Sequence, residues 1–295
     1  MSDLQKEYEA SLKSIETENI LDRMFYRPIG FRLARMLRGT GITPNMITIF
    51  SIFVGFGAGL MFYHPGLNYA IYGILFLVCA NILDCVDGQL ARLTHIKSEI
   101  GRILDGLAGD IWFGCIYVCF ALRLGNEFGH TMLFVLIAVA SGLSHLIQAN
   151  VTDYYKTLHL YFISKDKGAE LEILDDVKAR KGKMKGINLF FFNLYVFYTA
   201  VQQNVTPRSH EMLKQMRVRY QDEIPESIRL SFRKASRKLM PLIDMMTFNG
   251  RVWFMFVAVL LGQVWLYYIY EIIILNSILA IAMHKHEKMC ISYTK

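Results

Sequence analysis

Runs of about twenty apolar residues recur along this chain, and a run of that length leaves few structural options. In hydrocarbon every backbone N–H and C=O must find an internal partner. A crossing segment is therefore a helix or a strand of a closed barrel. The runs lack the polar/apolar alternation of barrel strands, so they are helices. Composition agrees: 54% of the 295 residues are hydrophobic and 19% charged, too apolar for an ordinary water-soluble domain. The chain reads as an all-α integral membrane protein.

Residues 1–20 are polar and lack the apolar core of a secretory signal. From Leu21 to Gly41, Met24, Phe25, Ile29, Phe31, Leu33 and Leu37 interleave with Arg23, Arg27, Arg32, Arg35 and Arg38. That pattern predicts an amphipathic helix, broken at Pro28, lying on an anionic membrane surface. Thr43-Pro44-Asn45 opens the first span, with Thr43 as N-cap and Pro44 in the first turn. This span runs from Met46 to Tyr63, and Gly55, Gly57 and Gly59 allow close helix contact. Further spans are expected over Tyr69–Leu90, Gly101–Leu124 and Thr131–Val151. The last apolar stretch is too long for one helix. A turn at Gly262-Gln263 divides it into spans over 240–261 and 265–283.

Six spans result. They divide the chain into a cytoplasmic N-terminus with its interfacial helix (1–42), spans one to four (43–151), a polar helical insertion (152–239) and two last spans with a tail (240–295). The insertion carries Lys178, Arg180, Lys181, Lys183, Lys185, Arg217, Arg219, Arg233 and Arg237, which places it in the cytoplasm by the positive-inside rule. Both termini fall on that side too, in a cytoplasmic (inner) membrane. Within the insertion, Ile187–Val201 is short for a span and flanked by basic clusters, so an interfacial helix is expected. The net charge of +7 points to anionic lipid rather than nucleic acid, because the basic residues adjoin membrane segments. Cys79, Cys115 and Cys119 lie inside apolar runs and no paired CxxC exists, so free thiols are expected. At the far end, His284 and His286 are two apart, wrong for one helix face, and the HKHEK segment reads as a charged cytoplasmic tail.

Asp84 to Asp110 is the stretch that carries chemistry. Asp84 and Asp87 are three apart and share a helix side, while Asp105 and Asp110 open the next span. Carboxylates at a membrane boundary are costly unless they meet a cation, and hard oxygen ligands suit Mg²⁺ or Mn²⁺ together with substrate phosphates. Pairing with Arg92, Lys97 and Arg102 would not explain why the neighbouring positions are Gly88, Ala91, Gly101 and Gly106.

The arrangement D-x-x-D-G-x-x-A-R, eight residues, then G-x-x-x-D is met by Asp84, Asp87, Gly88, Ala91, Arg92, Gly101 and Asp105. This resembles the signature of the CDP-alcohol phosphotransferase (CDP-alcohol phosphatidyltransferase) family, whose members transfer a phosphate-linked group from a cytidine-diphosphate donor to an alcohol and release CMP. The Thr43-Pro44-Asn45 opening and six-span layout also resemble that family; the long insertion is less typical. The resemblance implies a two-metal site of Mg²⁺ or Mn²⁺ on Asp84, Asp87 and Asp105, and Asp110 is taken as a further candidate ligand. It further implies donor contacts from Asn45, Asp84, Gly88, Ala91, Arg92 and Gly101. One position departs. The family's last aspartate follows the third by four residues, where this chain has Gly109, with Asp110 one later. Five residues turn a helix side chain by about 140°, against about 40° for four. A π-turn within Gly106–Gly109 would restore the register. Asp110 is the expected general base on the acceptor hydroxyl, with Asp105 beside it.

Acceptor contacts are expected from Lys97, Arg102, Arg38, His145, Gln148 and Asp153, at cytoplasmic ends of spans. Basic surroundings suit a phosphorylated acceptor such as an inositol phosphate or glycerol phosphate, and equally a lipid surface. The function read is transfer of a phosphatidyl group, most simply from CDP-diacylglycerol, by a homodimer among membrane lipids. Two other classes compete: an intramembrane prenyltransferase, for which a second aspartate-rich motif is expected and not found, and a non-catalytic metal-binding membrane protein.

Overall fold

The computed structural model describes residues 3–14, 16–96, 99–164, 171–179, 186–221 and 223–294. Among them all regular structure is helical. Five helices are long and apolar enough to cross a membrane: α3 (Pro44–Tyr63), α4 (Leu67–Thr94), α5 (Glu99–Phe128), α6 (Thr131–Ile163) and the run Trp265–Ile291. The chain divides into two compact units, one of Met1–Leu146 with Phe248–Ile273 and the other of Ile147–Thr247 with Ile274–Lys295.

In the first unit α3 is the shared surface, packing on both α4 and α5. Its start is fixed as the sequence predicts. Thr43 caps the helix by accepting from the Met46 N–H, and Pro44 occupies the first turn. Gly55 and Gly59, four apart on one face, let α5 come close. A Cβ at Gly55 would lie 2.2 Å from Trp112 Cδ1, and one at Gly59 would lie 2.6 Å from Cys115 Sγ. Only hydrogen fits there.

The amphipathic segment is not broken at Pro28. A π-helical turn, Asp22–Tyr26, runs directly into α2 (Arg27–Leu37), with the Arg27 N–H reaching back to the Asp22 carbonyl. The wider turn absorbs the proline ring, which would otherwise crowd the preceding turn. Phe31 and Ala34 on the inner face of α2 pack with Val86, Leu90 and Leu93 of α4. Burying a phenylalanine contributes roughly 1.5–3 kcal/mol. Met24, Leu33 and Met36 remain exposed beside Arg23, Arg32 and Arg35. Ahead of this segment, α1 (Asp3–Ala10) leads to Ser11, which is fully buried.

Residues 240–261 do not form the single span expected. The chain folds instead as α11 (Met240–Asp244), a turn, and α12 (Phe248–Leu260). Thirteen residues rise about 20 Å, short of a hydrocarbon core of about 30 Å. The turn at Gly262-Gln263 is present: Gly262 is left-handed at φ 72° and the Gln263 N–H bonds back to the Ala258 carbonyl at 2.9 Å. The final run comprises α13 (Trp265–Ile269), a π-helical segment (Tyr270–Leu275) and α14 (Asn276–Ile291).

The second unit contains α7 (Leu174–Ala179), α8 (Ile187–Val205), α9 (Pro207–Tyr220), α10 (Glu226–Arg237), α11, α14 and the latter part of α6. Arg229 of α10 donates to the Phe162 and Ile163 carbonyls, closing the C-terminus of α6. The charged tail expected at this end is helical, and only part of it faces outward. The helix continues through HKHEK to Ile291, and His286 is fully buried with its ring stacked on Tyr155 at 3.6 Å. His284, Lys285 and Lys288 stay exposed, while α9 packs along α14 on the side that carries His286.

Candidate active site

Asp84 and Asp87 come from one side of α4 and Asp105 from the second turn of α5. A carboxylate oxygen from each lies within 4.8 Å of the others. Two like charges at that separation repel by about 3.5 kcal/mol at an effective dielectric of about 20. Three hard carboxylates so placed suit a divalent cation, which offsets that repulsion and accepts oxygen ligands. Asp87 is only 2% exposed and takes a hydrogen bond of 2.5 Å from the Thr48 hydroxyl of α3. Thr48 lies one turn after Asn45, so the helix start that places Asn45 also aims Thr48 at the carboxylate. Sequence reasoning passed over Thr48. Its signal was a hydroxyl four residues after Pro44 in an otherwise apolar run.

Arg92 lies back along α4. Its guanidinium donates to the Ser11 carbonyl, and Nη2 sits 3.2 Å from where a Cβ on Gly88 would be. Gln89 donates to the Ser11 hydroxyl at 3.0 Å. The N-terminal segment thus fastens the motif arginine, with Ala91 adjoining it on the helix. After Thr94 the helix stops at His95, which is left-handed at φ 57°.

The fourth aspartate is elsewhere. Glu99–Phe128 is one α-helix without the compensating π-turn, and Asp110 is not part of the three-carboxylate group. Its Oδ1 instead lies 3.4 Å from His145 Nε2 of α6. His145 Nδ1 is 3.1 Å from the Tyr117 hydroxyl and 3.9 Å from Glu271, and Glu271 is paired directly with Arg251 of α12. Arg251 and Glu271 are 1% and 0% exposed, so this is a buried, charge-compensated knot. Glu271 and Arg251 were also missed by sequence reasoning. A carboxylate and a guanidinium inside apolar runs were the available signal.

A profile of the CDP-alcohol phosphatidyltransferase family matches residues 41–204. The chain belongs to that family. It is 38% identical over 115 residues to ceramide phosphoethanolamine synthase of Drosophila melanogaster, covering 37% of this chain and 26% of that protein. It is 32% identical over 118 residues to CDP-diacylglycerol–serine O-phosphatidyltransferase of Helicobacter pylori, covering 38% and 48%. With archaetidylinositol phosphate synthase of Pyrococcus horikoshii the identity is 39% over 74 residues, 25% of this chain and 38% of that one. The matched stretches span about a quarter to a half of these relatives.

Within this family frame, the remaining expected residues are scattered. Gly101 and Arg102 open α5 one turn before Asp105. Arg38 is paired with Glu7 at 2.9 Å. Gln148 is buried and donates to Asn276 at 2.8 Å, while Asp153 accepts from the Tyr198 hydroxyl at 3.3 Å; both belong to the second unit. Lys97 lies outside the described residues.

Proposed function

We propose that this chain is a membrane phosphotransferase that moves a phosphatidyl or other phospho-alcohol group from a CDP-linked donor, most simply CDP-diacylglycerol, to an alcohol acceptor. The observation that carries this is the group of Asp84, Asp87 and Asp105 on two neighbouring helices, within a family match that spans it. These carboxylates would hold Mg²⁺ or Mn²⁺, which when bound neutralises charge on the diphosphate and the departing CMP. Thr48 fixes the Asp87 carboxylate. Ser11 fixes Arg92, which with Asn45, Gly88, Ala91 and Gly101 forms the donor side. Asp110 stands five residues beyond Asp105, a rise of about 7.5 Å along α5. Asp110, held by His145, takes the hydroxyl proton in this reading. Arg102, near the three carboxylates on α5, orients the acceptor.

The exposed apolar and arginine side chains of the α2 segment support its lying on an anionic lipid surface. A sixth crossing within 240–261 would leave both termini on one side, the cytoplasmic one in this reading. Homodimerisation is part of the same proposal. The test is CMP release by purified protein from CDP-diacylglycerol with Mn²⁺ across a panel of alcohols. Absence of CMP with every CDP-linked donor would overturn it. Labelling of single cysteines placed at residues 245 and 263 reads the topology, and reaction from the same side would remove the sixth crossing.

A further inference from the structure

Away from the aspartates, the second unit gathers a different donor set. His286 and Cys290 stand four apart on α14, both fully buried, with the His286 Nδ1 to Cys290 Sγ distance 3.6 Å. Glu287 contributes a carboxylate oxygen to the same group, all three ligand atoms lying within 4.8 Å. A tetrahedral zinc with bonds of about 2.3 Å to sulfur and 2.0–2.1 Å to nitrogen has an S–N edge of about 3.5 Å. The Ser209 hydroxyl of α9 lies 3.4 Å from that nitrogen and 3.5 Å from that sulfur, near a further corner of such a tetrahedron.

The surroundings are those of an oriented ligand set. Glu287 accepts from the Arg208 N–H at 2.7 Å and from the Ser209 hydroxyl, which holds its carboxylate. Tyr155 stacks on the imidazole at 3.6 Å and fixes its plane. Nitrogen, oxygen and sulfur together favour zinc over the magnesium-like ions that suit an all-carboxylate site. We infer that His286, Glu287 and Cys290 bind one zinc ion, with a fourth position beside Ser209. The ion would clamp α14 to the first turn of α9, independently of phosphotransfer. The competing arrangement is a metal-free hydrogen-bonded cap, in which Glu287 only closes the N-terminus of α9.

The probe is cobalt in place of zinc in the full chain, purified in detergent without chelator. We expect stoichiometric zinc by elemental analysis. Cobalt exchange should give a sulfur-to-cobalt absorption band that is retained in Asp84→Asn/Asp87→Asn and lost in Cys290→Ser and His286→Gln. In the wild-type chain, Cys290 should resist alkylation until the zinc is chelated, as read by peptide mapping, so the outcome does not depend on the variants folding. No zinc and no band in wild type overturns the site. So does a band that persists in Cys290→Ser, or alkylation of Cys290 that ignores chelation.

Discussion

Asp105 and Asp110 sit five residues apart on one helix and have opposite kinds of neighbour. Asp105 faces two more carboxylates, a set of like charges that suits a cation. Asp110 faces an imidazole that adjoins the Glu271–Arg251 ion pair, whose own two charges balance each other. The first arrangement spends stability to hold a ligand; the second locks helices together and orients one carboxylate. Nothing in residue type distinguishes them. The 140° turn of five helical residues does.

The largest effect should come from the three-carboxylate group. Asp87→Asn is expected to drop CMP release to background while leaving the apo protein as thermostable or more so, because a like charge is removed; undiminished turnover would remove this residue from the metal set. Chelation should mimic it. Next, Asp110→Asn should lower kcat by about 10²–10⁴ with KM little changed, the usual scale for losing a general base. Unaltered kcat would return Asp110 to the purely structural side of the comparison.

Breaking the compensated knot tests its other half. Arg251→Met strands the buried Glu271 carboxylate and should cost about 3–5 kcal/mol in denaturant unfolding, and Arg251→Met/Glu271→Leu should recover much of it. Equal destabilisation in single and double variants would show that the pair is not the source. Thr48→Val removes the hydroxyl that supports Asp87 and also reaches the Pro44 carbonyl, and should weaken activating-metal affinity about 10–100-fold, read from the metal dependence of rate. An unshifted metal midpoint would mean that the hydroxyl does not orient the carboxylate. Smallest of all, His95→Gly relieves a left-handed residue after α4 and should change stability by less than about 1–2 kcal/mol. A clear loss would show that the His95 side chain has a partner worth more than the strain.

The long helices and the three-aspartate geometry were legible because the bilayer and the helical period act over short sequence distances. What stayed hidden depends on partners remote in sequence or on helix irregularities. The span over 240–261 was carried back past Asn249 because Val252–Leu261 alone is too short to cross, yet Met245-Met246-Thr247 break it with no glycine or proline among them to mark the turn. Pro28 should have ended a helix and did not, since a π-turn precedes it. The expected widening at Gly106–Gly109 is absent, while one is present at Tyr270–Leu275, where it carries Glu271. His286 was read as part of a charged tail because α9 and Tyr155, which pack against it, are far away in the chain.

The hold of Ser11 on Arg92 joins residues 81 apart, and synthesis separates them in time as well. At roughly 5–20 residues per second the first of them waits about 4–16 s for the second. Through that interval α3 must enter the bilayer while the segment ahead of it stays outside and uncommitted. The polar N-terminal segment is thus a late-closing latch, fastened to Arg92 only when α4 has arrived.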